Sequence, residues 1–320
     1  MDNNFYLFLY TYNHEKYIDM CLRSAIFQTK KFKKIVIYDD FSTDNTFKIL
    51  QKYSYKYEFI ELYSNKVKTY HEDIKKIIDY FNKYDHNDYF SIISGDDLLE
   101  LNFVEENNKS IKKNNHIKIF FSSVHIINSK NHYINKVNNY KESCIFKKNN
   151  NLYKSILYNT EINSVPFVYN VDCILKNSLL LQDTNSSYDY ETLINISRKF
   201  DIFYTNKFLS YWRRHDKQES FTKRLSQYKS DYITFLKQRI YHHNDKEFDY
   251  QNKRFYRFRN YLLCIKHYEN KNLLLFLKYF IKSLFSNLSP INFLLIIMLI
   301  MTYPFDRNIY KKIKKKYLFS

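Results

Sequence analysis

At 320 residues the chain is long enough to bury a substantial core, as one large or two modest domains, which excludes a mini-protein. Aromatic residues make up 19% of it (33 Tyr, 28 Phe), and with Lys, Asn and Ile also abundant this reads as a coding bias and excludes little by itself. The formal net charge is +18, and residues 251–320 carry 14 Lys and Arg against Glu269 and Asp306, so the charge belongs to one end and points to an anionic surface, either a membrane leaflet or a nucleic acid.

In chain order, residues 5–10 read as a strand and residues 14–28 as a helix with Ile18, Cys21, Leu22, Ala25 and Ile26 on one face. Residues 34–38 read as a second strand, which completes a βαβ unit. Asp44 is placed to cap a helix over 46–53, followed by a strand at 59–63 and an amphipathic helix over 72–84. A strand at 89–93 delivers Ser94-Gly95-Asp96-Asp97, then come a helix over 103–114 and a strand over 117–123. Residues 128–151 are polar and irregular, 151–158 and 188–199 are helical in pattern, and a short strand at 207–212 precedes Arg213-Arg214-His215. Alternating strands and helices predict an α/β fold, a mainly parallel sheet with both faces covered. In such open sheets ligands bind beyond the carboxyl ends of the strands, where Tyr12, Asn13, Asp39, Asp40, Asp96 and Asp97 all fall.

The single glycine, Gly95, sits between an apolar run and two carboxylates. Like charges desolvated side by side repel unless a cation or hydrogen-bond donors neutralise them, so Asp96-Asp97 asks for a partner. Taken alone, the pair also reads as a helix N-cap in a solvated turn, and Asp39-Asp40-Phe41-Ser42 as ordinary turn chemistry. With glycine almost absent, positive-φ positions are expected to fall to Asn and Asp. Cys21, Cys144, Cys173 and Cys264 show no metal-ligand spacing and fit a reduced, cytosolic setting. Met1-Asp2-Asn3-Asn4 is polar and the apolar run after it is too short for a secretory signal. Residues 272–303 are strongly apolar, but the uncharged core 293–303 is short of the roughly 20 residues a spanning helix needs. With Arg307, Lys311, Lys312, Lys314, Lys315 and Lys316 behind it, this segment predicts peripheral attachment to a membrane surface.

The block Thr11-Tyr12-Asn13-His14-Glu15-Lys16-Tyr17-Ile18, then Gln28-Thr29, then Ile35-Val36-Ile37-Tyr38-Asp39-Asp40-Phe41-Ser42-Thr43-Asp44-Asn45-Thr46, resembles the opening of family 2 glycosyltransferases. Ser94-Gly95-Asp96-Asp97 stands where that family carries its DXD-type motif, Ser187-Tyr188-Asp189-Tyr190-Glu191 looks like its acidic helix, and Trp212-Arg213-Arg214-His215 looks like its Tyr-Arg-x-His segment. The resemblance covers about residues 5–222 and implies a GT-A fold that takes a nucleotide sugar, with residues 223–320 as a helical, basic and apolar extension.

It further implies donor binding by Tyr10, Thr11, Tyr12, Asn13, Asp39, Asp40, Asp96 and Arg213, with Tyr12 stacked on the base and Asp40 accepting from it. Asp96, Asp97 and His215 are implied ligands of Mn2+ or Mg2+, and Asp189 is the implied general base with Glu191 behind it. Phe41 replaces the family's usual glycine, Ser94 the first acid of the DXD triplet, and Tyr188 the first member of a Glu-Asp pair. The implied activity is inverting transfer from a nucleotide sugar, a UDP-sugar in this reading, to a lipid-linked glycan or surface polysaccharide on the cytoplasmic face of the cell membrane. A nucleotidyltransferase and a basic nucleic-acid-binding protein are the competing readings, and no nucleic-acid partner is expected.

Overall fold

The computed structural model describes residues 3–65, 73–81, 88–138, 140–159, 166–177, 188–216, 218, 224–270 and 272–284. The chain divides into two compact units, Met1–His215 and Asp216–Ser320. Most of the predicted apolar tail and its basic run, residues 285–320, lie outside the described residues.

The first unit is built on a sheet with the order β3-β2-β1-β4-β9-β6-β10-β5, with β7 paired to β6 and β8 to β10. Its left half is the predicted βαβ pattern: β1 (Phe5–Thr11), α1 (Ile18–Ile26), β2 (Lys34–Asp39), α2 (Thr46–Lys56), β3 (Ile60–Ser64), α3 (Asp73–Phe81) and β4 (Tyr89–Ser94). These strands pair in parallel, with Leu9 opposite Ile37 on one side and Ile93 on the other. Phe5 to Leu9 are all buried, as a strand covered on both faces requires, and α1 turns Ile18, Cys21, Leu22, Ala25 and Ile26 into the same core.

The right half departs from a parallel sheet. After β5 (Leu98–Leu99) and α4 (Phe103–Lys113) come β6 (Ile119–Asn128), β7 (Tyr133–Val137), β8 (Cys144–Phe146), α5 (Asn151–Asn159), β9 (Val168–Asn170), α6 (Val171–Lys176), α7 (Tyr188–Lys199) and β10 (Ile202–Arg214). β9 runs antiparallel between β4 and β6, and β5, β7 and β8 are also antiparallel, whereas β10 is parallel to β6. Residues 128–151, expected to be irregular, therefore supply two strands. The expected strand at 207–212 is the second part of a longer one, whose register slips between Thr205 and Phe208 and again between Phe208 and Ser210.

Three local features place the site. The helix expected from residue 14 begins at Ile18, because the N–H groups of Tyr17 and Ile18 both bond to the His14 carbonyl and residues 14–17 form a turn. Among the described residues, six other than glycine have positive φ, and five are asparagines (Asn13, Asn131, Asn138, Asn149 and Asn244), as a chain short of glycine demands; the sixth is Phe41. Gly95 is needed for space and not for φ: a Cβ there would meet Thr11 Oγ1 at 2.6 Å and His14 Nδ1 at 3.0 Å. β4 and β1 thus end in contact, which brings Asp96 against the β1 loop.

The second unit is helical: α8 (Arg224–Lys237), a short 3-10 turn (Gln238–Tyr241), α9 (Lys246–Glu269) and α10 (Leu273–Leu284). Its core is aromatic, with the Phe235 and Phe248 rings 4.2 Å apart and the Phe235 and Phe255 rings 4.7 Å apart. No helix among the described residues is long and apolar enough to cross a membrane.

Candidate active site

All the parallel strands end on one rim, and two of their loops are bonded together there. The Asn13 N–H donates to Ser42 Oγ (2.9 Å), and Asn13 Oδ1 accepts from the Thr43 N–H (2.7 Å). One step on, the Glu15 N–H donates to Asp44 Oδ2 (3.2 Å), and Glu15 Oε2 accepts from the Asn45 N–H (3.1 Å). The remaining Asp44 oxygen takes the Thr46 N–H at 2.9 Å, so Asp44 holds the start of α2 from one residue before its N-cap, Asn45, while also clipping the β1 loop. This reciprocity needs short polar side chains at fixed offsets after each strand, which is why the motif is legible in sequence.

The two acids ending β2 differ. Asp39 is 1% exposed and its Oδ2 accepts from the Ser42 N–H (3.0 Å) and Ser64 Oγ (3.3 Å), so it shapes the turn from beneath. Asp40 is only half-buried, its N–H bonded to the Thr11 carbonyl. Its Oδ1 accepts from Asn65 Nδ2 (2.9 Å), and Asn65 Oδ1 accepts in turn from Lys76 Nζ, which also lies 5.2 Å over the Tyr38 ring. Asn65 and Lys76 were not among the residues the sequence singles out. They meet Asp40 only because β3 pairs with β2 and α3 packs nearby. Tyr10, Tyr38 and Tyr63 stack in a row across β1, β2 and β3, and Tyr12 stands half-buried beyond them.

The second cluster joins β4 to β10 and is dominated by buried charge. Asp96 Oδ2 lies 3.0 Å from His215 Nε2, and Asp96 Oδ1 is buried without a hydrogen-bond partner among the described residues. Burial alone would raise the Asp96 pKa, but the His215 hydrogen bond and the field of His14 outweigh it and hold the carboxyl below its ordinary value. Asp97 behaves oppositely: desolvation first, then the Asp96 charge, push its pKa well up, against the Arg213 N–H that its Oδ1 accepts at 2.8 Å. Burial likewise pulls the His14 pKa down, so this imidazole beside Asp96 and His215 favours its neutral form.

Arg213 is fully buried. Its Nε donates to the Asp96 carbonyl (2.6 Å), and one Nη donates to the Asn128 carbonyl (3.2 Å) and to Asn131 Oδ1. Its guanidinium sits 4.7 Å over the Tyr17 ring, which lies 4.9 Å from the His215 ring. Sequence reasoning gave Arg213 a contact to the diphosphate, whereas here it pins the Asp96 backbone. The sequence assigns no role to Tyr17, although it lies in the opening block, nor to Asn131, which comes from the β6–β7 turn in the stretch expected to be irregular.

Asp189 and Glu191 lie in the first turn of α7, where Asp189 Oδ1 accepts the Tyr190 N–H (2.8 Å). Asp189 is half-buried and Glu191 buried. α7 leads into β10 and packs against α5. Among the described residues no three His, Cys, Asp or Glu side chains form a group able to hold a metal ion. Asp96 and His215 form a two-donor set instead, and the buried, unbonded Asp96 Oδ1 fits the need of a hard cation for an oxygen ligand.

A family model described as Glycosyl transferase family 2 matches residues 6–184. Among curated proteins, an uncharacterized glycosyltransferase of Haemophilus influenzae is 26% identical over 214 residues, 65% of this chain and 65% of its own length. A cholesterol galactosyltransferase of Borreliella burgdorferi is 38% identical over 55 residues, 17% of this chain and 15% of that protein. The chain thus spans less than two thirds of either relative. Among solved structures, S. aureus TarS 1-349 in complex with UDP-GlcNAc aligns with a TM-score of 0.55 at 15% identity, over 88% of this chain and 90% of that one. GalNAc-T7 with UDP, GalNAc and Mn2+ aligns at 0.50 and 11% identity, over 66% and 43%. At these identities the likeness is one of fold.

Proposed function

We propose, from the premise that this chain belongs to glycosyl transferase family 2 and is a glycosyltransferase, that it moves a sugar from a UDP-sugar to a hydroxyl of a lipid-linked glycan or surface polysaccharide, with inversion at the anomeric carbon. The observation that carries this reading is the placement of the Asp40–Asn65–Lys76 chain and the buried Asp96–His215 pair after the parallel strands β2 and β4, on either side of β1 at one rim. UDP in the bound complexes of TarS and GalNAc-T7 motivates the choice of nucleotide.

In this mechanism Asp40, steadied by Asn65, accepts from the base, and Tyr12 supplies a ring beside it. Tyr10, Thr11 and Asn13 present the loop backbone to the nucleoside, and Asp39 keeps that loop in shape. Asp96 and His215 would hold Mn2+ or Mg2+, which when bound supplies positive charge opposite the leaving diphosphate. Asp96 suits that place because it stays ionised under its depressed pKa. Asp97 and Arg213 act through Asp96 as positioning residues, the first by its bond to the Arg213 N–H and the second by its bond to the Asp96 carbonyl. Asp189 takes the acceptor proton as the acceptor oxygen bonds to the anomeric carbon and the bond to the diphosphate oxygen breaks; Glu191 is the alternative base.

Product NMR tests the stereochemistry: inversion is expected, and retention would remove Asp189 from its role. The acceptor and the cytoplasmic membrane face are inferred from the basic, apolar end of the chain, including the exposed Leu274, Leu277 and Ile281 of α10 beside Lys278 and Lys282. Flotation on anionic vesicles tests this. Tight, salt-sensitive DNA binding without vesicle binding would overturn it.

A further inference from the structure

Phe41 is the exception among the left-handed residues. At φ 65° it holds a conformation that bulky side chains avoid, whereas the other five such positions among the described residues carry asparagine. The turn imposes this. The Asp40 N–H is fixed to the Thr11 carbonyl, the Ser42 N–H to Asp39 Oδ2, and Ser42 Oγ to the Asn13 N–H, so the backbone is held on both sides of Phe41. The ring is 47% exposed, so the fold covers only about half of it. A strained, half-exposed ring thus stands next to Asp40, where asparagine or glycine would relieve the backbone.

We propose that Phe41 is a donor-recognition residue whose ring packs on the nucleoside of a nucleoside diphosphate. The inference rests on the reading that the Asp39-Asp40 loop receives the nucleotide. An aromatic face gives base-stacking contact and little hydrogen-bond readout, so it adds affinity for the nucleoside as a whole while Asp40 selects the base edge.

The test compares wild type with Phe41→Asn and Phe41→Gly by thermal unfolding and by calorimetric titration with UDP, GDP and dTDP in Mn2+. Pyrophosphate serves as the probe without a nucleoside. Both variants should melt roughly 2–4 °C higher as the backbone strain is relieved. They should bind the preferred nucleoside diphosphate about tenfold more weakly and pyrophosphate as wild type does. Unchanged nucleotide affinity, an equal loss of pyrophosphate affinity, or a lower melting temperature in both variants would each overturn the proposal, the last by showing that the ring serves the fold. Asp40→Ala separates the two layers. If it binds nucleotide like wild type, the reading of the loop fails; if it weakens binding while the Phe41 variants do not, only the role of Phe41 falls.

Discussion

The two halves of the site are held by different physics. Around Asp40 the β1 and β2 loops are tied by neutral and charge-assisted hydrogen bonds between half-exposed groups, each of modest net worth. Around Asp96 four ionisable residues (Asp96, Asp97, Arg213 and His215) are almost removed from water, so their charges act on one another with little screening. The first half is a scaffold that can lose a contact and still bind. The second is a coupled unit, in which removing one member leaves the rest uncompensated.

That contrast orders the expected effects. Arg213→Ala should cost about 3–5 kcal/mol, because it strands the buried acids, measured by urea unfolding; a loss under about 1 kcal/mol would mean that Arg213 pins nothing. Asp96→Asn should lower kcat by about 10²–10³-fold with the fold intact by circular dichroism, and near-normal turnover would remove the Asp96–His215 pair from the chemistry. On the other side, Asn65→Ala should raise the KM for the donor only about 3–10-fold, the worth of one hydrogen bond, with kcat unchanged. A collapse of kcat there would erase the distinction between the halves.

The smallest effect is a pH dependence. The Asp97 pKa is raised in the fold, so its contribution to stability is fully present below the unfolded value near 4 and is lost as pH rises through the folded value. The difference in melting temperature between Asp97→Asn and wild type should therefore move in favour of the variant as pH rises. Asp96, with its depressed pKa, has the opposite sign, and its contribution is lost only as pH falls through the folded value. A difference that stays flat between pH 4 and 8 would contradict the buried-pair account.

The same contrast explains what sequence could and could not say. The scaffold half is local: strands β1, β2 and β4 are long apolar runs, and Asn13, Glu15, Ser42 and Asp44 sit at short offsets after them. The expectation that Asn or Asp would replace glycine at positive φ follows from composition and, among the described residues, fails only at Phe41. The coupled half is assembled from distant segments. Arg213 is identifiable from its motif, but its burial depends on Tyr17 and Asn131, which no spacing connects to it. Strands as short as β5, β8 and β9 carry no measurable period, so β5 and β9 draw no expectation from sequence and β8, like β7, falls in the stretch expected to be irregular.

The central claim is that acids from separate strands converge to hold a donor and its cation on one rim. Calorimetric titration of UDP into wild type and Asp96→Asn, each with and without Mn2+, tests it most directly. The account predicts that Mn2+ tightens UDP binding to wild type and that this enhancement disappears in Asp96→Asn. UDP binding indifferent to Mn2+, or an undiminished enhancement in the variant, would contradict it.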